Sequence, residues 1–341
     1  SEQPTFEIWK KQLRSILLDN QKAPSHNVQS FTGSQITDAL KIFQQSVPEL
    51  PIDELHNFNQ RDRDRWVHAK ALTIPSGSHI LDIGAGTCPY RPLFAHCIYK
   101  AHDFKKYTGE KLGGTKEYGI IDYESDICAI PVADNSFDVI LCTEVLEHTP
   151  EPIEALREMV RILKPGGRLL ITAPLGSGLH QLPYHYYGGF TPEWYKHFGA
   201  KFGLSVTEFT ANGGFFKLLA QECARVAWTL PQHQHLHGNN VEFIRNLFGE
   251  WIPRYLFALE EKHFIDQFTV GYHVEAVKAR DIDTIQKMLN KDTQNVDLYI
   301  EAARSLINQG KFSNAKMYIE DALELNYNNS TLLEINQQLT D

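Results

Sequence analysis

The chain has 341 residues, of which 42% are hydrophobic and 22% charged, with a net charge of −9. This balance excludes wholesale disorder. The acidic excess argues against a protein that coats nucleic acid. A chain of this length buries about three-quarters of its unfolded surface, so its stability needs neither disulfides nor a structural metal.

In chain order, residues 6–67 read as helical. Phe6, Trp9, Leu13, Ile16 and Leu17 form one apolar stripe, and Ile36, Leu40 and Phe43 another. Between residues 79 and 174, short apolar runs alternate with amphipathic helices, as in a parallel sheet. The runs are 79–83, 98–103, 120–125, 137–142 and 168–173. The clearest helix places Ile153, Leu156, Val160 and Leu163 on one face. It is expected to start at Thr149-Pro150 and to stop at Pro165-Gly166-Gly167. Further strands are expected at 204–209 and 269–277, with a helical insert at 216–268 between them. From Asp281 onward the pattern is helical and acidic. The expected domains are a helical N-terminal cap (1–67), an α/β domain (68–280) and a helical extension (281–341).

The five cysteines, Cys88, Cys97, Cys128, Cys142 and Cys223, are odd in number and form no C-x-x-C pair. They are expected to be reduced residues of an intracellular protein. No run approaches the ~18 apolar residues of a membrane span, and residues 1–16 lack the apolar core of a signal peptide. A cytoplasmic protein is therefore expected.

Chemistry concentrates in the first half. Residues 80–88 (Ile-Leu-Asp-Ile-Gly-Ala-Gly-Thr-Cys) read as a buried strand entering a glycine turn. Gly84 and Gly86 would let the backbone approach a ligand, and Ala85 lies between them. The third glycine of a dinucleotide fingerprint is not matched, which disfavours an NAD-dependent oxidoreductase. Asp103 ends the next strand, 21 residues after Asp82, where an acid can hold both hydroxyls of a ribose. Asp126-Ile127 follows the third strand, beside the place of an adenine.

These stretches, together with residues 143–148 (Thr-Glu-Val-Leu-Glu-His) and 162–167, resemble the class I S-adenosylmethionine-dependent methyltransferases, specifically the methyltransferase type 11 group. The resemblance implies an α/β fold, a Rossmann-like seven-stranded sheet with helices on both faces. It implies S-adenosyl-L-methionine as the methyl donor, bound at the strands' C-terminal ends. By position, Gly84 and Gly86 would pass under the methionine part and Asp82 would anchor its amino group. Asp103 would take the ribose, and Asp126 and Ile127 the adenine. Thr143 and Glu144 would complete the donor site. Cys88 departs from the commonest residue there, glycine.

Acceptor candidates follow the fourth and fifth strands: Glu147 and His148, then His180 and His185 in the glycine-flanked segment 176–190. His185, His180 and His148 are the candidate catalytic bases, because imidazole titrates near neutrality. Tyr184, Tyr186 and Tyr187 are the candidate acceptor contacts. A small-molecule or glycan hydroxyl is the expected acceptor. Nucleic acid is disfavoured, since the Asn/Asp-Pro-Pro-Tyr-type motif of amino-base methylation is absent. His233, His235 and His237 alternate, but no cysteine or acid completes a set, so no metal site is expected. A donor-binding but inactive scaffold is the alternative.

Residues 296–329 span 34 residues, the period of one tetratricopeptide repeat. Gly310, Ala315 and the Ala322–Asn326 run resemble that repeat, although Tyr327 replaces its usual proline. The resemblance implies a partner-binding or self-association module. A plain helical hairpin completing the fold is the other reading.

Overall fold

The computed structural model describes residues 50–107, 117–229 and 241–339. The apolar stripes at 6–17 and 36–43, and His233, His235 and His237, lie outside the described residues. Two compact units separate. One comprises residues 1–58 and 216–264, the other residues 59–215 and 265–341.

The larger unit contains one sheet, seven-stranded among the described residues. Its strands are β1 (His79–Ile83), β2 (Ile98–Asp103), β3 (Tyr123–Glu124), β4 (Phe137–Thr143), β5 (Leu163–Pro174), β6 (Leu204–Ala211) and β7 (Gly271–Lys278). Their order is β3-β2-β1-β4-β5-β7-β6. The strands from β3 to β5 are parallel, and β7 runs antiparallel to both β5 and β6. This is the expected Rossmann-like α/β fold. The order reverses between β1 and β4, so a crevice opens beyond the C-terminal ends of these strands, where such sheets bind ligands.

Alternation along each central strand divides the core. Leu81 and Ile83, Ile140 and Cys142, and Leu169 and Ile171 pack on one face with Leu156, Met159 and Val160 of the helix Pro152–Ile162. Ile80, Val139, Leu141 and Leu170 pack on the other with Trp66, Val67 and Ala71 of the helix Phe58–Leu72. Buried on both faces, these strands read in sequence as unbroken apolar runs.

Two expected strands differ in extent. Of residues 120–125 only Tyr123 and Glu124 pair with β2. Instead, the Asp122 carboxylate takes the Ala101 N–H at 2.9 Å and the Lys100 ammonium at 2.7 Å, while the Ile120 carbonyl accepts from Arg91. The Asp122 N–H still donates to the Ala101 carbonyl at 2.8 Å, and side chains supply the remaining bonds at this edge. β5 begins at Leu163 rather than near 168, because Leu163 pairs with Phe137 before the register shifts around Gly166-Gly167.

Lys278, at the end of β7, closes the C-terminus of the helix Pro152–Ile162. Its ammonium donates to the carbonyls of Val160 and Leu163, both at 2.7 Å, and to Asn135 Oδ1 at 2.8 Å. Helix ends leave such carbonyls unpaired, and a cation there also suits the dipole. Beyond it, the helices Ile282–Leu289, Val296–Asn308, Phe312–Leu325 and Ser330–Gln338 enclose their own core around Ala303, Leu306, Ala315, Ile319, Ala322 and Leu332.

In the smaller unit, Phe58 meets the Phe257 ring edge-on, and His56 bonds the Gly249 carbonyl. Among the described residues, no helix is long and apolar enough to cross a membrane. None of the five cysteines is in a disulfide.

Candidate active site

β1 delivers the chain into the glycine turn at the crevice. Gly84 has φ +67°, and a β-carbon there would lie 2.4 Å from Val145 Cγ2, in the turn after β4. The close approach of the two turns therefore requires glycine. At Gly86, by contrast, a β-carbon would meet nothing within 4 Å, so the turn has an open side. Cys88 has φ +59°, a left-handed position that explains why glycine is the commonest residue there in the resembled family.

Asp103 pins the turn. Its Oδ2 accepts the Gly86 N–H at 2.9 Å and its Oδ1 the Lys105 N–H at 2.9 Å, with the residue 5% exposed. Ala85 N–H donates to the His102 carbonyl at 3.0 Å. Each carboxylate oxygen keeps a further lone pair, so the acid can still receive ribose hydroxyls. Asp82 is 2% exposed and accepts the Tyr99 hydroxyl at 2.5 Å. Burial pushes its carboxyl up to about 7, and the Asp103 charge acts in the same direction, whereas the Tyr99 bond opposes it.

Asp126 shapes its own turn by accepting the Cys128 N–H at 2.9 Å, and Ile127 beside it joins the core. Thr143 ends β4. Glu144, at φ +53°, receives the Thr172 hydroxyl at 2.7 Å, and its other oxygen lies 3.7 Å from the Arg63 guanidinium.

The acceptor candidates converge. The rings of His180 and His185 are 4.5 Å apart, those of His148 and His180 4.8 Å, and those of His148 and His185 5.8 Å. His148 Nδ1 bonds the Tyr184 carbonyl at 2.6 Å, and burial pushes this imidazole down to about 4, with His180 and His185 acting the same way. His180 Nδ1 bonds the Gly178 carbonyl at 2.9 Å. His185 Nε2 lies 3.1 Å from Ser177 Oγ; burial and then His180 lower its basicity. Glu147 is 1% exposed, its Oε1 3.7 Å from His148 Nε2, and burial holds its carboxyl well above the usual range.

The tyrosines divide. Tyr184 packs edge-on against Phe104 and Tyr107, just past the end of β2, at 5.1 and 6.5 Å between ring centres. The loop after β5 thus reaches the segment that follows Asp103. Tyr186 and Tyr187 have exposed side chains, while their N–H groups donate to the Glu147 carbonyl at 2.9 and 3.2 Å. The Tyr187 hydroxyl donates to the Pro150 carbonyl at 3.1 Å.

Two residues escaped sequence reasoning. Tyr99 carried no signal beyond its place in an apolar run. Arg63 sits in the Arg-Asp-Arg-Asp-Arg run 61–65, which reads as a solvated face. It donates instead to the Tyr90 hydroxyl at 3.2 Å, which in turn donates to Asp64 at 2.8 Å. Burial opposes its charge, yet Glu144 and Tyr90 more than offset that and raise its basicity.

Residues 81–171 match the family described as a methyltransferase domain. An uncharacterized methyltransferase of Mycobacteroides abscessus is 31% identical over 162 residues, covering 43% of this chain and 61% of that protein. A demethylmenaquinone methyltransferase of Paenarthrobacter aurescens is 34% identical over 125 residues, covering 35% and 48%. The chain thus spans about half the length of the curated relatives it matches. The structure of a Haemonchus contortus phosphoethanolamine N-methyltransferase in complex with S-adenosyl-L-methionine aligns at 17% identity with a TM-score of 0.35. That alignment covers 64% of this chain and 53% of the other, too distant a likeness to carry an argument. The sheet order, the glycine turn and the match over residues 81–171 agree in their likeness to a methyltransferase domain, which covers that stretch of the chain.

Proposed function

We propose that the protein transfers the methyl group of S-adenosyl-L-methionine to a hydroxyl of a small-molecule or glycan acceptor. The residues present suit the donor. The open side of Gly86 leaves room above the turn, Asp103 offers spare lone pairs to a ribose, and buried Asp82 suits an ammonium. When bound, the donor supplies a methyl already activated by its sulfonium. The chain then has to hold the partners in line and exclude water.

One observation carries the hydroxyl reading: three imidazoles meet where the acceptor would lie. A neutral hydroxyl becomes a good nucleophile as it loses its proton. In this reading His185 receives that proton while the oxygen forms its bond to the methyl carbon. The carbon–sulfur bond breaks, and its electron pair returns to sulfur as a neutral thioether. His180 flanks His185, and His148 anchors Tyr184. We further propose that residues 281–341, tetratricopeptide-like in pattern, serve a protein partner or self-association.

A second reading has support in the relatives. A demethylmenaquinone methyltransferase and a ubiquinone/menaquinone biosynthesis C-methyltransferase are among them, which favours a carbon as the acceptor atom. The test is transfer of isotope-labelled methyl into fractionated extract of the native host, with mass spectrometry of the product. A labelled methyl ether is expected. A methyl on carbon would replace the hydroxyl reading, and donor binding with no transfer into any fraction would leave an inactive scaffold.

A further inference from the structure

We propose that Glu147, His148 and His180 form a binding site for a divalent transition-metal ion. One ligand atom from each of the three lies within 4.8 Å of the others. Two come from the turn after β4 and the third from the loop after β5, so the fold brings them together across more than 30 residues of sequence.

The tautomers are set for metal binding. His148 Nδ1 faces the Tyr184 carbonyl and His180 Nδ1 the Gly178 carbonyl. A carbonyl only accepts, so each Nδ1 carries the proton and each Nε2 keeps its lone pair. Metal-bound histidines are commonly held in this way, the second nitrogen donating to a carbonyl or carboxylate. The groups that would face the ion lack other partners. His148 Nε2 and Glu147 Oε2 are both buried without a hydrogen bond. Glu147 as a whole is 1% exposed. Buried polar atoms are seldom left unpaired, and a cation would satisfy both at once.

The donor set points to the ion. Two imidazole nitrogens and one carboxylate oxygen suit zinc, ferrous iron, cobalt or manganese rather than the all-oxygen shells of calcium. Ligands bonded to one such ion at ~2.1 Å lie roughly 3–4 Å apart, so binding needs a closing movement of about 1 Å. His180, in a loop containing Gly176 and Gly178, is the ligand able to supply it. Three protein donors leave a coordination position open, the arrangement of reactive rather than structural sites. Resting on the methyl-transfer reading, that position would take the acceptor oxygen and make its proton more acidic.

The experiment uses the full chain with His233, His235 and His237 replaced together by alanine, so that imidazoles elsewhere do not compete. Cobalt(II) is titrated and followed by visible absorption, and zinc(II) is titrated by calorimetry, both without donor. One equivalent per chain is expected, with cobalt bands of four- or five-coordinate geometry. Glu147→Gln and His180→Ala should each weaken binding by roughly 100-fold or more. Because Glu147 is buried and its variant risks misfolding, His180→Ala in the surface loop decides. Absence of stoichiometric binding, or unchanged affinity in folded His180→Ala, overturns the site. Donor titration on the same samples separates the two readings. Donor binding without metal binding overturns the metal site alone, and metal binding without donor binding overturns the methyl-transfer reading alone.

Discussion

His148 Nδ1 lies 2.6 Å from the carbonyl oxygen of Tyr184, and this bond joins the turn after β4 to the loop after β5. The ring of the same tyrosine packs against Phe104, next to Asp103, the acid proposed to take the ribose. One residue therefore touches both halves of the crevice. If the donor binds beside Asp103, its occupation should therefore bear on the loop through Tyr184.

If His185 accepts the acceptor's proton, His185→Ala should lower turnover by about 10²–10⁴-fold while donor affinity holds. Burial and the neighbouring His180 keep the His185 imidazole below its ordinary value. Its basic form therefore already prevails at neutral pH. The wild-type rate should rise through an ionisation on the acid side of ~6.5 and stay level above it. His180→Ala removes one of the opposing groups and should move that ionisation upward. A pH–rate profile on the true acceptor reads all three, and full turnover in His185→Ala would leave this residue a packing role.

Asp103→Asn should weaken donor binding by ~1–3 kcal/mol, since two hydroxyls lose a charged acceptor and the Gly86 N–H loses its partner. Calorimetry with S-adenosylmethionine measures this. An unchanged affinity in a folded variant would put the ribose elsewhere.

If Asp82 anchors the donor's amino group, its carboxyl, raised to about 7, should tie donor binding to pH. Its ionised form is the one that pairs with an ammonium, so donor affinity should fall as pH drops below 7, approaching tenfold per unit. In the free protein the sign is opposite. The raised carboxyl stabilises the fold below about 3.9, and that contribution fades as pH rises through about 7, by up to about 1.4 kcal/mol per unit. Asp82→Asn should flatten both dependences, in calorimetric and thermal-unfolding series from pH 5 to 8. A donor affinity that is pH-independent in the wild type would detach Asp82 from the donor.

Lys278→Met leaves the Val160 and Leu163 carbonyls and Asn135 Oδ1 without their donor. Urea denaturation should show a loss of about 1–3 kcal/mol with donor affinity kept. A loss below about 0.5 kcal/mol would mean that water replaces the ammonium at the helix end.

Much of the fold is legible because its signals are local. The helix Pro152–Ile162 follows from the spacing of Ile153, Leu156 and Val160, but it begins at Pro152 rather than at Thr149-Pro150, and Leu163 and Pro165-Gly166-Gly167 already belong to β5. β3 is less so: residues 120–125 look like a strand, but only Tyr123 and Glu124 pair with β2, and at Asp122 the side chain rather than a backbone carbonyl takes the Ala101 N–H. Arg63 shows the same limit at the site. A charged run has the pattern of a solvated face, and only distant residues, Tyr90 and Glu144, give its guanidinium partners.

By itself the sequence determined β1, β2 and β4, the glycine turn and the acid at the end of β2. Strands buried on both faces need apolar side chains at successive positions, and a left-handed turn pressed against Val145 needs glycine. Only the tertiary structure decided which polar residues meet. His148, His180 and His185 come together because β4 and β5 lie side by side and end on the same edge, carrying their loops to one place. Periodicity reports a residue's face within its own element. The partner of a buried polar group is supplied by another segment, and no local pattern encodes it.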